Sequence, residues 1–317
     1  MLNFYDCYEL INQYYYFNET IKPKVYIPIK QKPRVCIFCG KSDSETPFRK
    51  KAHIIPKALG NRTLFTTIEC DECNQKSGDT IENDFIEYLN ATRALAKKRG
   101  GDKGHVKYKP SGKISYIKSG VTSNTIEIYE DEADESIKVL YLPNNKMSIE
   151  MTSSRPINYV NVVKALAKMG LLLFTVEEIK ANYHIIQWIK GEIDYLPIFL
   201  KGFFLGNEVE NTILSVYKLK SEIPELEPIF VSFYFSNKFF FIHLPTKDFH
   251  LSKRRLVPAK NLSPLKPYKL ISNIPPMITE ITCNENKPTF KKEIFFFEYE
   301  KKVGPIEIIE NKYTYEP

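Results

Sequence analysis

The stretch VCIFCGK (35–41) and, just beyond it, RKKAHIIPKALGNRTLFTTIECDECN (49–74) decide how this chain folds. They hold two C-x-x-C pairs, Cys36/Cys39 and Cys70/Cys73. Each pair offers two thiolates from one tight turn, and two such knuckles supply the four-sulfur tetrahedron that Zn²⁺ prefers. Gly40, directly after the second ligand, lets the chain reverse there. A redox C-x-x-C would need one pair and leaves the second unexplained. Between the pairs, Lys50–Ile55 reads as a short strand stopped by Pro56, and Leu64–Glu69 reads as a second strand. After Cys73, residues Asp79, Ile81, Phe85, Ile86 and Leu89 recur at helical spacing. Two strands and a helix clamped at their base make a small ββα unit. Such a unit is too small to hold on apolar burial alone, which gives a structural zinc its physical purpose.

The order C-x-x-C, A-H-I-I-P-x-x-L-G-N, C-x-x-C-N, G-x-x-I-E is carried by Cys36, Cys39, Ala52, His53, Ile54, Ile55, Pro56, Leu59, Gly60, Asn61, Cys70, Cys73, Asn74, Gly78, Ile81 and Glu82. It resembles the HNH endonucleases, in particular a zinc-containing bacterial group with an H-I-I-P core, over about residues 34–90. The resemblance implies a phosphodiester hydrolase in which His53 is the general base that activates water; imidazole suits that task because it titrates near neutrality. It implies a divalent catalytic ion, Mg²⁺ or Mn²⁺, with Asn74 beside it as ligand or orienter. Two positions depart from the family pattern. Ala52 stands where many members carry a metal-ligating Asp or His, and Phe65, Thr66 and Thr67 occupy the stretch where the middle Asn belongs, with Asn61 the nearest asparagine. Glu82 and Asp79 are the substitute carboxylates, and the catalytic residues expected are His53, Asn61, Asn74 and Glu82. The resemblance further implies DNA as substrate, without excluding RNA, and a place in bacterial defence against phage. The two departures favour a second reading, a zinc-dependent nucleic-acid-binding protein without catalysis.

Basic residues crowd around this segment. Lys50, Lys51, Lys57 and Arg62 frame the hairpin, and Arg93, Lys97, Lys98, Arg99 and Lys103 follow the helix, with Lys107, Lys109 and Lys113 beyond. Next to a nuclease motif such a run reads as phosphate contacts, which give affinity without sequence readout. The net charge of +7 fits a nucleic-acid partner without demanding one. No uncharged apolar run is long enough for a membrane span, and the first residues lack a secretory pattern, so a cytoplasmic protein with reduced cysteines is expected. Cys7 and Cys283 are isolated, as are the remaining histidines, His105, His184, His243 and His250.

The expected organisation is an N-terminal arm (1–33), the zinc module (34–99), a basic Gly/Lys-rich linker (100–113) and a larger α+β domain (114–317). In that domain, 113–119, 125–129 and 137–142 alternate as strands around the acidic turn EDEADES. Residues 157–173 and 177–189 read as helices. On the first, Val162, Val163, Leu166, Met169, Gly170 and Leu173 share a face, while Lys164 and Lys168 lie elsewhere. Residues 228–235 and 238–244 read as a hairpin through Ser236-Asn237, and KKEIFFFEYE near 291–300 as an edge strand. The fold class is therefore α+β: a zinc-stapled ββα module plus a domain of two or three helices on a mainly antiparallel sheet. That domain carries no catalytic constellation, so binding, control by a ligand or partner, or homo-oligomer formation falls to it.

Overall fold

A computed structural model describes residues 4–17, 23–28, 32–96, 106–110, 112–119, 125–194, 196, 198–221, 228–244, 278–282, 287–298 and 307–310. Helix α1 (Phe4–Cys7) leads into β1 (Tyr8–Phe17), followed by β2 (Val25–Ile27). The cysteine-bearing segment forms β3 (Ala52–His53), a 3₁₀ turn at Lys57–Leu59, β4 (Leu64–Thr66), and helices α2 (Asp71–Asp79), α3 (Ile81–Tyr88) and α4 (Asn90–Leu95). Then come β5 (Tyr116–Ser119), β6 (Thr125–Tyr129), β7 (Ile137–Leu142), β8 (Lys146–Thr152), α5 (Tyr159–Leu171), α6 (Val176–Ala181), α7 (Tyr183–Lys190), β9 (Phe199–Leu219), β10 (Ile229–Leu244), β11 (Ile278–Thr282), β12 (Lys292–Glu298) and β13 (Glu307–Glu310).

The result is an α+β fold whose sheets are mainly antiparallel. β9 is the centre of the largest sheet, pairing with β1, β10 and β11. Two three-stranded sheets follow the orders β12-β8-β7 and β13-β6-β5. In the fourth, β4 pairs antiparallel with β3 and parallel with β2. The segment expected to be an arm is thus built into two sheets: β1 lies along β9, and β2 completes the sheet that carries His53. Local sequence could not show this, because both pairings join residues far apart in the chain.

Two expected elements differ. The helix after Cys73 is three short helices; Thr80, at φ −120° and ψ −94°, leaves the helical region and separates α2 from α3. The hairpin expected at Ser236-Asn237 is instead one long strand. Ser236 takes φ 56°, and β10 continues past it, pairing with β9 on both sides. A residue with positive φ serves a bulge as well as a turn. Between Tyr234 and Lys238 the partner strand runs from Ile213 to Phe204, so the irregularity is absorbed within the β9–β10 pair.

Helix α5 is buried almost all round, from Val160 to Leu171. It packs on β10 so closely that a Cβ on Gly170 would overlap the Val231 side chain. Asn158 caps its first turn by accepting from Val160 N–H at 3.0 Å, and a Thr175/Glu178 capping box starts α6. One apolar cluster runs from Cys36, Phe38 and Ile54 through Phe85 and α5 to Phe233 and Phe240 of β10. The cysteine-bearing segment and the large sheet therefore share a core. Lys168, expected away from the apolar face of α5, is 1% exposed within that core. No helix among the described residues is long and apolar enough to cross a membrane.

Candidate functional site

The thiols of Cys36, Cys39, Cys70 and Cys73 all lie within 4.8 Å of one another. A tetrahedral zinc with Zn–S bonds of about 2.3 Å would set its sulfurs about 3.8 Å apart. The Cys39 and Cys70 sulfurs stand at 3.8 Å. The backbone is shaped for this. Gly40, at φ 76°, donates its N–H to Cys36 C=O at 2.8 Å, closing the first knuckle. Cys70 ends the strand side and caps α2, whose Asn74 N–H reaches Cys70 C=O at 2.9 Å. A hydrogen bond from the Cys73 thiol, opposed by burial and helped by the Cys70 and Cys39 amides, brings Cys36 down to about 4. The donor set and its spacing fit a structural zinc.

His53 sits on β3, opposite Phe65 of β4, with the two rings 4.7 Å apart. Tyr26 of β2 stacks on Phe65 at 5.3 Å, so the strand from the N-terminal segment backs the ring that His53 leans on. The loop between β3 and β4 is organised by Asn61, which is fully buried. Its amide donates to Ile55 C=O at 2.7 Å and to Leu64 C=O at 2.8 Å. Its Oδ1 accepts from the N–H groups of Thr63 and Leu64. These four bonds use the whole hydrogen-bonding capacity of the side chain. Asn61 thereby holds together the loop that follows His53.

Asn74 lies half-buried in α2, one residue after the last cysteine. The neighbouring Gln75 accepts from Lys50 Nζ at 3.2 Å, and Asp71 accepts from the backbone N–H groups of Arg49 and Lys50. These contacts tie α2 to the chain entering β3. Asp71 had no distinct signal in the sequence, since a carboxylate in a first helical turn is expected there in any case.

Glu82 is placed otherwise than expected of a metal ligand. Its Oε1 accepts from Lys168 Nζ of α5 at 2.8 Å, and the same ammonium meets Glu69 Oε1 at 2.7 Å. Burial pushes the Glu69 carboxyl up to about 7, against the pull of Lys168. Burial alone would discharge Lys168, but the two carboxylates reverse this and hold its pKa above the ordinary lysine value. The two carboxylates thus keep the Lys168 ammonium charged. Asp79, the other substitute carboxylate, is exposed and accepts from Gln75 within α2. The remaining acids of α3 also reach residues beyond the cysteine-bearing segment. Asp84 binds Arg155 at 2.6 Å and Asn161 at 2.7 Å, while Glu87 accepts from Ser154 N–H and Oγ at 2.6 Å.

Among the expected phosphate contacts, Lys50, Lys51, Lys57 and Arg62 are exposed around the hairpin. Arg93 is corrected: it is 8% exposed, bonds Asn90 at 3.3 Å, and desolvation lowers it to about 10, so its charge is turned inward. Lys97, Lys98, Arg99 and Lys103 lie outside the described residues, as do Cys283, His105 and His250. Cys7, His184 and His243 are buried. Among the described residues the four cysteines are the one group of three or more Cys, His, Asp or Glu side chains close enough to share an ion.

Residues 36–90, from the first cysteine of the cluster to the start of α4, match the HNH endonuclease family. No curated protein and no solved structure matches the chain. The matched segment supports a nuclease activity on a nucleic-acid substrate.

Proposed function

We propose that this protein is an endonuclease that hydrolyses phosphodiester bonds of DNA, with His53 as general base. The observation that carries the reading is the match over residues 36–90 together with the place of His53, on a hairpin whose two ends are gathered by the four-cysteine cluster. In this reading His53 takes a proton from the attacking water. Asn61 fixes the loop that follows His53, and Lys50, Lys51, Lys57 and Arg62 hold the flanking phosphates. Zinc on Cys36, Cys39, Cys70 and Cys73 is structural. A catalytic Mg²⁺ or Mn²⁺ would supply charge stabilisation at the phosphate. Such an ion commonly keeps several waters and takes further ligands from the substrate phosphate. The family's link to defence against phage makes foreign DNA the natural target, and a cytoplasmic setting suits both that target and four reduced cysteines.

Plasmid cleavage by wild type and His53→Ala, each with its zinc content verified, tests this with Mg²⁺, Mn²⁺ or neither. Wild type should nick or cut only with added metal, and His53→Ala should be slower by a factor on the order of 100 to 10,000. A variant that cuts as fast as wild type removes His53 from the chemistry. Ala52 and the stretch Phe65–Thr67, where the family's ligand and middle Asn would stand, favour the second reading, a zinc-dependent binding protein; DNA retained in a gel shift by a wild type that never cuts would establish it.

A further inference from the structure

The β5–β6 sheet has an inner and an outer face. Ile117, Ile126 and Ile128 point inward and are buried with Tyr108, Met147, Ile149 and Phe295. Outward point Tyr116, Lys118, Glu127 and Tyr129. Tyr116 and Tyr129 are directly opposed in the strand register, and their half-buried rings stack at 5.6 Å with 19° between planes. The chain at 106–110 lies beside β5, with Tyr108 N–H and C=O exchanging hydrogen bonds with Ile117. That bridge turns Tyr108 inward and brings the exposed Lys107 and Lys109 to the tyrosine side. The Lys107 ammonium stands 3.6 Å from the centre of the Tyr116 ring. Among the described side chains of β5 and β6, Glu127 is the acid on this face, and it is already engaged, accepting from Tyr116 Oη at 2.7 Å and pairing with Lys118 at 3.0 Å. The face thus offers aromatic rings with three lysines around them and one neutralised carboxylate.

The inner face already supplies the core, and a cross-strand aromatic pair adds at most about 1 kcal/mol to the sheet. Rings framed by lysines suit a polymer that carries flat bases on a phosphate backbone: the Lys107 ammonium, which lies over Tyr116, can swing to a phosphate and leave that ring face to a base. In a duplex those base faces are covered by neighbouring pairs, so rings of this kind recognise unpaired bases. We propose that the outer face of β5–β6, with Lys107 and Lys109, binds single-stranded nucleic acid. The proposal shares with the nuclease reading only the need for a nucleic-acid partner.

The test is binding of a labelled oligothymidylate, an oligouridylate and a DNA duplex of equal length to the full-length, zinc-loaded His53→Ala protein. No divalent metal is added, so failure of the plasmid assay leaves this measurement intact. Tyr116→Leu/Tyr129→Leu should weaken single-strand binding at least about five-fold, the lower bound for losing one stacked base, while changing duplex binding less than two-fold. Lys107→Ala should reduce the slope of log affinity against log salt by about 0.7, the value for one phosphate contact on a single strand. Glu127→Gln should tighten binding. These surface lysine and glutamate changes carry the test even if the tyrosine variant unfolds. A folded tyrosine variant that binds as its parent does, an equal loss on duplex, an unchanged salt slope in Lys107→Ala, or a protein that binds neither oligomer overturns the proposal. Preference for the uridylate over the thymidylate keeps the surface and assigns it to RNA.

Discussion

The two halves of the family-matched segment treat their polar side chains in opposite ways. From Cys36 to Cys73 the chemistry is mostly local, the buried Glu69–Lys168 pair being the exception. Cysteines face cysteines, Asn61 closes its own loop, and Asp71 braces the strand that carries His53. From Ile81 to Tyr88 almost every polar contact leaves the segment. Glu82 reaches Lys168, Asp84 reaches Arg155 and Asn161, Glu87 reaches Ser154, and the Tyr88 carbonyl accepts from Lys291. The first half keeps the chemistry that its spacing advertises. The second half has become the joint between the cysteine-bearing segment and α5, the turn at Ser154–Arg155 and Lys291. An acid at a motif-like spacing is therefore no guide to metal binding until the cations that pack against it are known.

The strongest way to break this comparison is to remove the zinc. Structural zinc contributes on the order of 10 kcal/mol to units of this size. Cys73→Ser should lose stoichiometric zinc and leave residues 36–80 open to protease, while the core built on α5 and β10 persists. Zinc content and limited proteolysis read both. If the variant keeps its zinc and its protease resistance, the first half is held by packing, as the second half is, and the contrast fails.

Lys168→Met attacks the other side of the comparison. It leaves Glu69 and Glu82 facing each other with no cation, and breaking a buried pair in this way costs about 3–5 kcal/mol. Denaturant unfolding should show that loss, and Glu69→Gln in the same background should recover much of it. A Lys168→Met protein as stable as wild type would mean that α3 is seated by apolar contacts alone.

Lys168 also shows where sequence reading stops. The cysteine knuckles, the short strands on either side of the loop and the spans of β6 and β7 follow from spacing and alternation among neighbours. So does the buried face of α5, with its Val162, Val163 and Leu166. That α5 is covered on all sides is a property of the sheet and of α3, which lie far away in the chain. A lysine that looks solvent-facing on a helical wheel is for that reason a buried ion-pair partner. The same holds for β1 and β2, whose pairings with β9 and β4 have no local signature. Ser236-Asn237 failed differently: its residues announce a positive φ, and a positive φ serves a bulge as well as a hairpin. Of the expected catalytic residues, His53 stands on the predicted strand. Asn61 and Glu82 stand out by type and spacing, but the work each does depends on partners that spacing alone cannot name.

The finest test separates the two roles open to Glu82. Glu82→Gln keeps the shape of the side chain and one acceptor for Lys168 while removing the charge. As part of the joint, Glu82 should lose only the charged component of one hydrogen bond, about 1 kcal/mol of stability. DNA cleavage should then stay within a few-fold of wild type, with the same Mg²⁺ dependence. A carboxylate at the catalytic ion would behave in the reverse manner. Stability would change little, or rise as the buried negative charge is relieved, while activity fell on the order of 100-fold and the metal requirement moved to higher concentration. Stability and metal dependence respond in opposite senses under the two roles, so measuring both on one variant decides whether α3 belongs to the chemistry of the first half or to the architecture of the second.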